Sequence, residues 1–515
     1  MLEAGAGCAK TSTLELAGRR IRTLGLALAF NKLTAEAMAA KLPGHIQARS
    51  FNSLGHRVLA QALGGTPGSK KVSIQLDTRK LGRLTTQAVK DHGLDLSSAQ
   101  WFGLKALVER AMLHGLVPAG VAGASGAMAE DTREEWSRAA GAAGIDSDDF
   151  GLFLDPARDI LRASIAEATA GRISFSDQTY LPVVMDLPTP RFPVVLVDED
   201  QDLNPLNQAM IGKALAPGGR LIAVGDRRQA IYAWRGALGD SAAALRKHGK
   251  AWIDLPLMTT FRCPQAVVDG VQWWVPGFRA AAGARGGKVL RWAKSRDEPE
   301  GPGWKWSDVE EKAAEAAAGT GVDGGLAILC RNNAPILRMA FALLRRQVPL
   351  QVLGRDIGKS LVGLADKLTP GGLKSGVPVA ALLDALGGWE SREVALAAAE
   401  HVPDRADAAS DKAEALRAIL DGAEVRAVDQ IPAAVDLVFS ATGTKVTLST
   451  VHKAKGQEWS TVLVLDPWRM PSKAARKAAD AGDPVPLEQE HNLEYVAWTR
   501  TRDTLILANW EDFLG

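Results

Sequence analysis

Ten residues near the amino terminus, AGAGCAKTST (Ala4–Thr13), have the types and spacing of a phosphate cradle. A cradle of this kind needs successive backbone N–H groups turned inward at a helix start, followed by a lysine and a hydroxyl. Ala4, Gly5, Ala6, Gly7, Cys8 and Ala9 would form the loop, Lys10 would reach the terminal phosphates, and Thr11 would hold Mg²⁺. Gly5 and Gly7 supply backbone freedom. The glycine that usually precedes the lysine is Ala9 here. A methyl at that point is accommodated if the residue keeps φ below zero, and it narrows the space beside the β-phosphate. The strand expected ahead of the loop is reduced to Met1–Glu3. Taken alone, the loop fits a plain strand-to-helix turn as well as it fits a nucleotide site.

The stretch VVLVDEDQD (Val194–Asp202) supplies what such a site lacks. An apolar strand delivering two carboxylates at its end gives Asp198 for Mg²⁺ and Glu199 to polarise an attacking water as general base. The next strand ends VGDRRQAIYAWRGA (Val224–Ala237), which puts Gln229 where a γ-phosphate sensor is wanted. Tyr232, Trp234 and Arg235 follow directly. Aromatic faces interleaved with arginine are how sequence-indifferent proteins hold single-stranded bases.

These residues need elements to position them. Short β-rich runs alternate with Ala/Leu/Lys/Glu-rich helical stretches, the pattern of parallel α/β sheets. Strands are expected at Leu24–Phe30, Phe192–Asp198 and Arg220–Asp226, and again at Gly324–Cys330, Lys445–Val451, Ser460–Asp466 and Asp503–Asn509. They fall into two groups, hence two α/β lobes: residues 1–255 with a helical insertion at about 57–180, and 256–515 with a reduced one at about 360–440. Arg469–Pro486 reads as an exposed loop plus a short basic helix.

Composition bounds the rest. A chain of 515 residues exceeds one hydrophobic core, and 46% apolar with 23% charged residues is ordinary for a globular protein. The net charge of +2 means that any surface for a polyanion must be a local stripe. Three widely spaced cysteines, Cys8, Cys263 and Cys330, exclude a disulfide framework and a zinc ribbon. No apolar run reaches the roughly 18 residues of a membrane span, so a cytoplasmic protein without membrane contact is expected.

With DEDQD and GDRRQAIYAWRGA in place, LAFNKLTAEAM (Leu28–Met38), TFRCP (Thr260–Pro264), STVHKAKGQEW (Ser449–Trp459) and EQEHNLEYVAWTRTR (Glu488–Arg502) complete an ordered set. Together they resemble the UvrD/PcrA/Rep-like group of superfamily 1 helicases across nearly the whole chain. The resemblance implies two RecA-like lobes of the phosphate-loop NTPase class sandwiching ATP and Mg²⁺, with single-stranded DNA running across both. It implies nucleotide roles for Lys10, Thr11, Asp198, Glu199 and Gln229, with Arg262 and Arg500 on the γ-phosphate and Gly456 and Glu458 on phosphate and sugar. Arginines that arrive only on closure would tie hydrolysis to movement. Phe261 stands where relatives stack a tyrosine on adenine, and Ser12 where many carry an arginine on the opposite face. The matching single-strand positions are Phe30, Asn31, Tyr232, Trp234, Arg235 and His452, with Asn52 and Ser53 on the backbone. Asp177 in FSDQTYLP also has a counterpart in the family, without assigned chemistry.

Three departures matter. Relatives carry an adenine-reading glutamine upstream of the loop, and this chain begins after that point. The second insertion, about 80 residues, is smaller than in well-known members, and no nuclease domain follows Gly515. The expectation is therefore a 3′ to 5′ ATP-dependent translocase and helicase on single-stranded DNA and duplex junctions, working beside replication or repair proteins. A single-strand-binding protein with a decayed ATPase, a translocase that does not unwind, and an RNA track stay open as alternatives.

Overall fold

The computed structural model describes residues 1–64, 73–143, 145, 147–231, 241–249, 251–291, 309–311, 325–399, 403–439 and 446–513. Tyr232, Trp234 and Arg235 lie outside these described residues. The chain divides into two compact units, Met1–Ala4 with Ala9–Leu257 and Gly5–Cys8 with Met258–Gly515.

The first unit holds a six-stranded sheet of β1 (Leu2–Ala4), β2 (Gly25–Ala29), β3 (Ile46–Ser50), β4 (Phe192–Asp198), β5 (Leu215–Gly225) and β6 (Leu255–Leu257). Their order is β3-β2-β4-β5-β1-β6, with every pairing parallel. Parallel strands are covered on both faces, which is why β2 (GLALA) and β4 (FPVVLVD) read as nearly continuous apolar runs. Three residues suffice for β1 because it pairs on both sides, Leu2 with Val224 and with Leu255.

Between β3 and β4 the described residues are mostly helices and turns, with a two-stranded patch, Gln75–Leu76 with Arg172–Ile173. Its helices include α1 (Phe51–Leu63), α2 (Lys80–Asp91), α3 (Ser147–Thr169) and α4 (Asp177–Val184). One core joins Leu26, Leu28, Val195 and Val197 of the sheet to Trp136, Phe153 and Leu161 of the insertion. At its centre Lys80 and Asp177, both with fully buried side chains, pair at 2.7 Å. The Lys80 ammonium also donates to the Ser164 carbonyl at 2.6 Å, and Asp177 accepts the Ser174 N–H at 2.6 Å. The residue without assigned chemistry in the sequence therefore ties α2, α3 and α4 together. Gly55 lets α1 reach α4: a Cβ there would sit 1.5 Å from the Gln178 carbonyl oxygen.

The second unit holds another parallel six-stranded sheet: β7 (Lys288–Arg291), β8 (Leu326–Cys330), β9 (Leu350–Val352), β10 (Val446–Thr450), β11 (Trp459–Leu465) and β12 (Thr501–Ala508). The order is β7-β12-β11-β8-β10-β9. Helices Val379–Ala399 and Pro403–Gly422 pair beside it, and Leu382, Leu416 and Ile419 merge with Ile328 and Leu448 into one core. The chain is thus α/β with two parallel-sheet lobes and helical insertions. Among the described residues no helix is long and apolar enough to cross a membrane.

Candidate functional site

Because all strands of the first sheet run parallel, their carboxyl ends share one edge, where the chain leaves β1, β4 and β5 within two strand positions of one another. Helix Lys10–Arg20 starts there. Lys10 Nζ lies 2.8 Å from Glu199 Oε2, and Thr11 Oγ1 donates to Asp198 Oδ2 at 3.0 Å. Gln201 donates its amide to the same Glu199 oxygen at 2.7 Å and accepts the Asp226 N–H at 2.9 Å. Gln229 donates to Asp226 Oδ2 at 2.7 Å. Five predicted residues, Lys10, Thr11, Asp198, Glu199 and Gln229, therefore converge in one hydrogen-bonded array. Gln201 and Asp226 join it. The sequence signal for both was their place beside motif residues, but nothing in their types distinguished a bridging role from a solvated turn.

The array is short of positive charge. Burial opposes the charge on Lys10, yet Glu199, Asp226 and Asp198 together hold its pKa above the ordinary lysine value. Asp198 is pushed up to about 6, by burial first and then by the Glu199 charge. Burial also raises Asp226 and takes Asp200 up to about 7. Asp198 and the Thr11 hydroxyl that donates to it offer oxygen atoms of the kind a hard divalent cation such as Mg²⁺ takes. Asp198 and Thr11 are the residues that would hold it.

Ala9 departs from the sequence expectation. Its φ is 57° and ψ 38°, in the left-handed region, not below zero. The turn that aims Lys10 at Glu199 requires that conformation, and in an L-residue it costs about 1–2 kcal/mol. Ala9→Gly is therefore expected to raise the urea-unfolding free energy by about 1 kcal/mol at unchanged denaturant slope. A loss of stability instead would show that the alanine is unstrained.

In the second unit, Gly7 at φ 69° packs so closely on Arg262 that a Cβ would lie 2.5 Å from the Arg262 Cβ. Glycine meets both demands there. The Phe261 N–H donates to the Gly7 carbonyl at 2.9 Å, and the Ala6 N–H donates to Tyr495 Oη at 2.8 Å. Tyr495, fully buried, was not singled out by the sequence. Arg262 Nε pairs with the Glu458 carboxylate, whose other oxygen is 3.7 Å from Arg502 Nε. Arg500 is 1% exposed; it donates to the carbonyls of Val496 and Gln457 and to Thr499 Oγ1. Phe261 is 73% exposed, Ser12 is exposed, and Gly456 has a φ of 87°.

Both halves of this arrangement match known sequence profiles. That of the UvrD/REP helicase N-terminal domain matches residues 177–248, the span holding Asp198, Glu199 and Gln229. That of the UvrD-like helicase C-terminal domain matches residues 404–512, the span holding His452, Gly456, Glu458 and Arg500. Over these two spans the chain is similar to UvrD/Rep-like helicases.

Similar proteins include the ATP-dependent DNA helicase UvrD2 of Mycobacterium tuberculosis, 28% identical over 346 residues, 62% of this chain and 47% of the relative. The RecBCD enzyme subunit RecB of Mycolicibacterium smegmatis is 42% identical over 82 residues, 16% of this chain and 7% of that one. DNA helicase II of Haemophilus influenzae is 27% identical over 179 residues, 34% of this chain and 24% of that one. The chain thus spans about half the length of the UvrD2 relatives it matches. Lys10, Thr11 and Arg262 fall outside both profile matches.

The other residues expected on a single-strand track are placed as follows. Phe30 is 52% exposed after β2. Asn31 caps helix Lys32–Ala39, its side-chain oxygen accepting the Thr34 N–H at 2.8 Å. Asn52 donates to the Phe175 carbonyl at 2.8 Å, and Ser53 Oγ accepts from Arg49 at 3.2 Å. His452 is half-buried in the short helix Val451–Ala454 that follows β10.

Proposed function

We propose that this chain is an ATP-driven motor that moves 3′ to 5′ along single-stranded DNA and separates duplex ahead of it. The observation that carries the reading is the array in which Lys10 and Thr11 rest on Glu199 and Asp198. A plain strand-to-helix turn has no use for a largely buried lysine on one acid and a threonine hydroxyl on the acid next to it.

In this reading Lys10 exchanges Glu199 for the terminal phosphates of ATP. Glu199, still held by Gln201, is then free to orient a water and take its proton. Gln229, braced by Asp226, monitors the γ-phosphate. Bound Mg²⁺ supplies neutralisation of the phosphate charge. Arg262 exchanges Glu458 for the γ-phosphate, and Arg500 joins it, so that hydrolysis waits on both. Phe261 offers the adenine an open ring face. Phe30, Asn31, Asn52, Ser53 and His452, with Tyr232, Trp234 and Arg235, form the single-strand track. Replication or repair proteins are the expected company.

Steady-state ATP hydrolysis with and without oligo-dT tests this. Strong stimulation by single strands is expected, with less from oligo-U if the track is DNA. A single-strand-binding protein with a decayed ATPase is the second reading, favoured by the strained Ala9. Oligo-dT binding without any hydrolysis would establish it and remove the motor.

A further inference from the structure

The helix Lys473–Asp480, the basic helix of the sequence, has no part in the site described above. Ser472 caps it by accepting the Ala475 N–H at 3.1 Å, and it packs on helices Pro403–Gly422 and Val485–Trp498. Lys473, Arg476 and Lys477 stand at i, i+3 and i+4, so they share one face, and all three are exposed. Ala475 is buried on the opposite side. None of the three cations has an ion pair among the described residues. Lys473, in the first turn, opposes the helix macrodipole and adds to its positive end, whereas Lys477, in the last turn, is favoured by it. Asp480 is the acid on that face, at the carboxyl end.

Just before this helix, Trp468 leaves the carboxyl end of β11 with 56% of its surface exposed. It is held from one side. The Arg469 guanidinium lies 4.8 Å from the ring centroid, and that arginine is anchored to Asp466 at 3.1 Å and to Glu414 at 3.5 Å. Asp466 is itself buried and accepts the Trp510 N–H at 2.8 Å. The indole is thus fixed over a neutralised cation and leaves its other surface to solvent. In a parallel sheet this is the edge where loops bind ligands, and His452 follows β10 on the same edge.

We infer that Trp468 with Lys473, Arg476 and Lys477 forms a further contact for single-stranded DNA, the indole stacking a base and the three cations following phosphates. The inference rests on the single-strand reading of the chain, and charge complementarity selects the occupant. Three exposed cations with no ion pair among the described residues, on a chain of net charge +2, suit a polyanion, and an open indole a few residues ahead of them favours unpaired bases over a duplex or an acidic protein surface.

Fluorescence anisotropy of labelled oligo-dT on the full chain, across a salt series, tests it. Each phosphate contact contributes about 0.7 to the slope of log affinity against log salt for single strands. The triple variant Lys473→Gln, Arg476→Gln, Lys477→Gln is expected to lower that slope by about 2. Trp468→Ala is expected to weaken binding roughly 5- to 150-fold, with Trp468→Phe retaining most of the affinity. Circular dichroism checks that each variant folds. Unchanged slope in the triple variant and unchanged affinity in Trp468→Ala, with the parent chain binding normally, overturn this contact alone. A slope change seen with duplex and not with oligo-dT overturns the single-strand assignment. No binding of oligo-dT by the parent overturns the functional reading and this contact with it.

Discussion

Glu199→Gln is expected to keep ATP and single-strand binding while lowering DNA-stimulated ATP turnover about 10²–10⁴-fold. The amide keeps the shape of the carboxylate, and its carbonyl can still accept from Gln201, so the array stays assembled. What disappears is the ability to take a proton from water. The substitution also removes the acid that pairs with Lys10 at 2.8 Å, so the ammonium reaches the phosphates without first leaving an ion pair. Nucleotide affinity is therefore expected to hold or tighten as turnover collapses. Binding measured with a fluorescent ATP analogue, beside single-turnover hydrolysis, reads the two effects separately. Turnover within about threefold of the parent would falsify the base assignment, because general-base contributions are much larger.

Lys80→Met is expected to destabilise the first unit by about 3–5 kcal/mol, because it strands Asp177 as an uncompensated buried charge. Burial already pulls the Lys80 pKa below its ordinary value, against the attraction of Asp177, so the pair is costly to desolvate and held by its geometry. The double variant Lys80→Met, Asp177→Asn leaves no lone charge and is expected to lose less than the two single losses added together. Urea unfolding of the four proteins gives the coupling. A loss below about 1 kcal/mol in Lys80→Met would mean that water or a neighbour takes over the lysine's role. The pair also has reach. Asp177 opens the helix that Gly55 brings against Phe51–Leu63, which carries Asn52 and Ser53, so loosening it is expected to weaken single-strand binding as well as stability.

The strands that sequence reading found and those it missed differ for a physical reason. Phe192–Asp198 and Leu326–Cys330 are inner strands, buried on both faces, and their apolar runs declare them. Ile46–Ser50, Leu255–Leu257, Lys288–Arg291 and Leu350–Val352 are the edges of the two six-stranded sheets. An edge strand has one neighbour and less cover, so IQARS or KVLR carries no pattern that separates it from a loop. Met1–Glu3 looked too short for a strand, and only pairing on both sides makes Leu2–Ala4 one.

The same division runs through the site. Lys10, Thr11, Asp198, Glu199 and Gln229 could be singled out because phosphate, metal and water would each demand a particular functional group at short spacings, and the structure brings the five together. What holds them was not legible. The Gln201–Asp226 bridge, the Tyr495 hydroxyl on the Ala6 N–H and the Lys80–Asp177 pair join residues 25, 489 and 97 positions apart. Contacts that distant leave no periodicity in the chain and exist only once the sheets have formed. Nor could residue types report the left-handed turn at Ala9, since alanine there announces a conformation it does not favour. The candidate residues were marked by local chemistry; support and strain were settled by the fold.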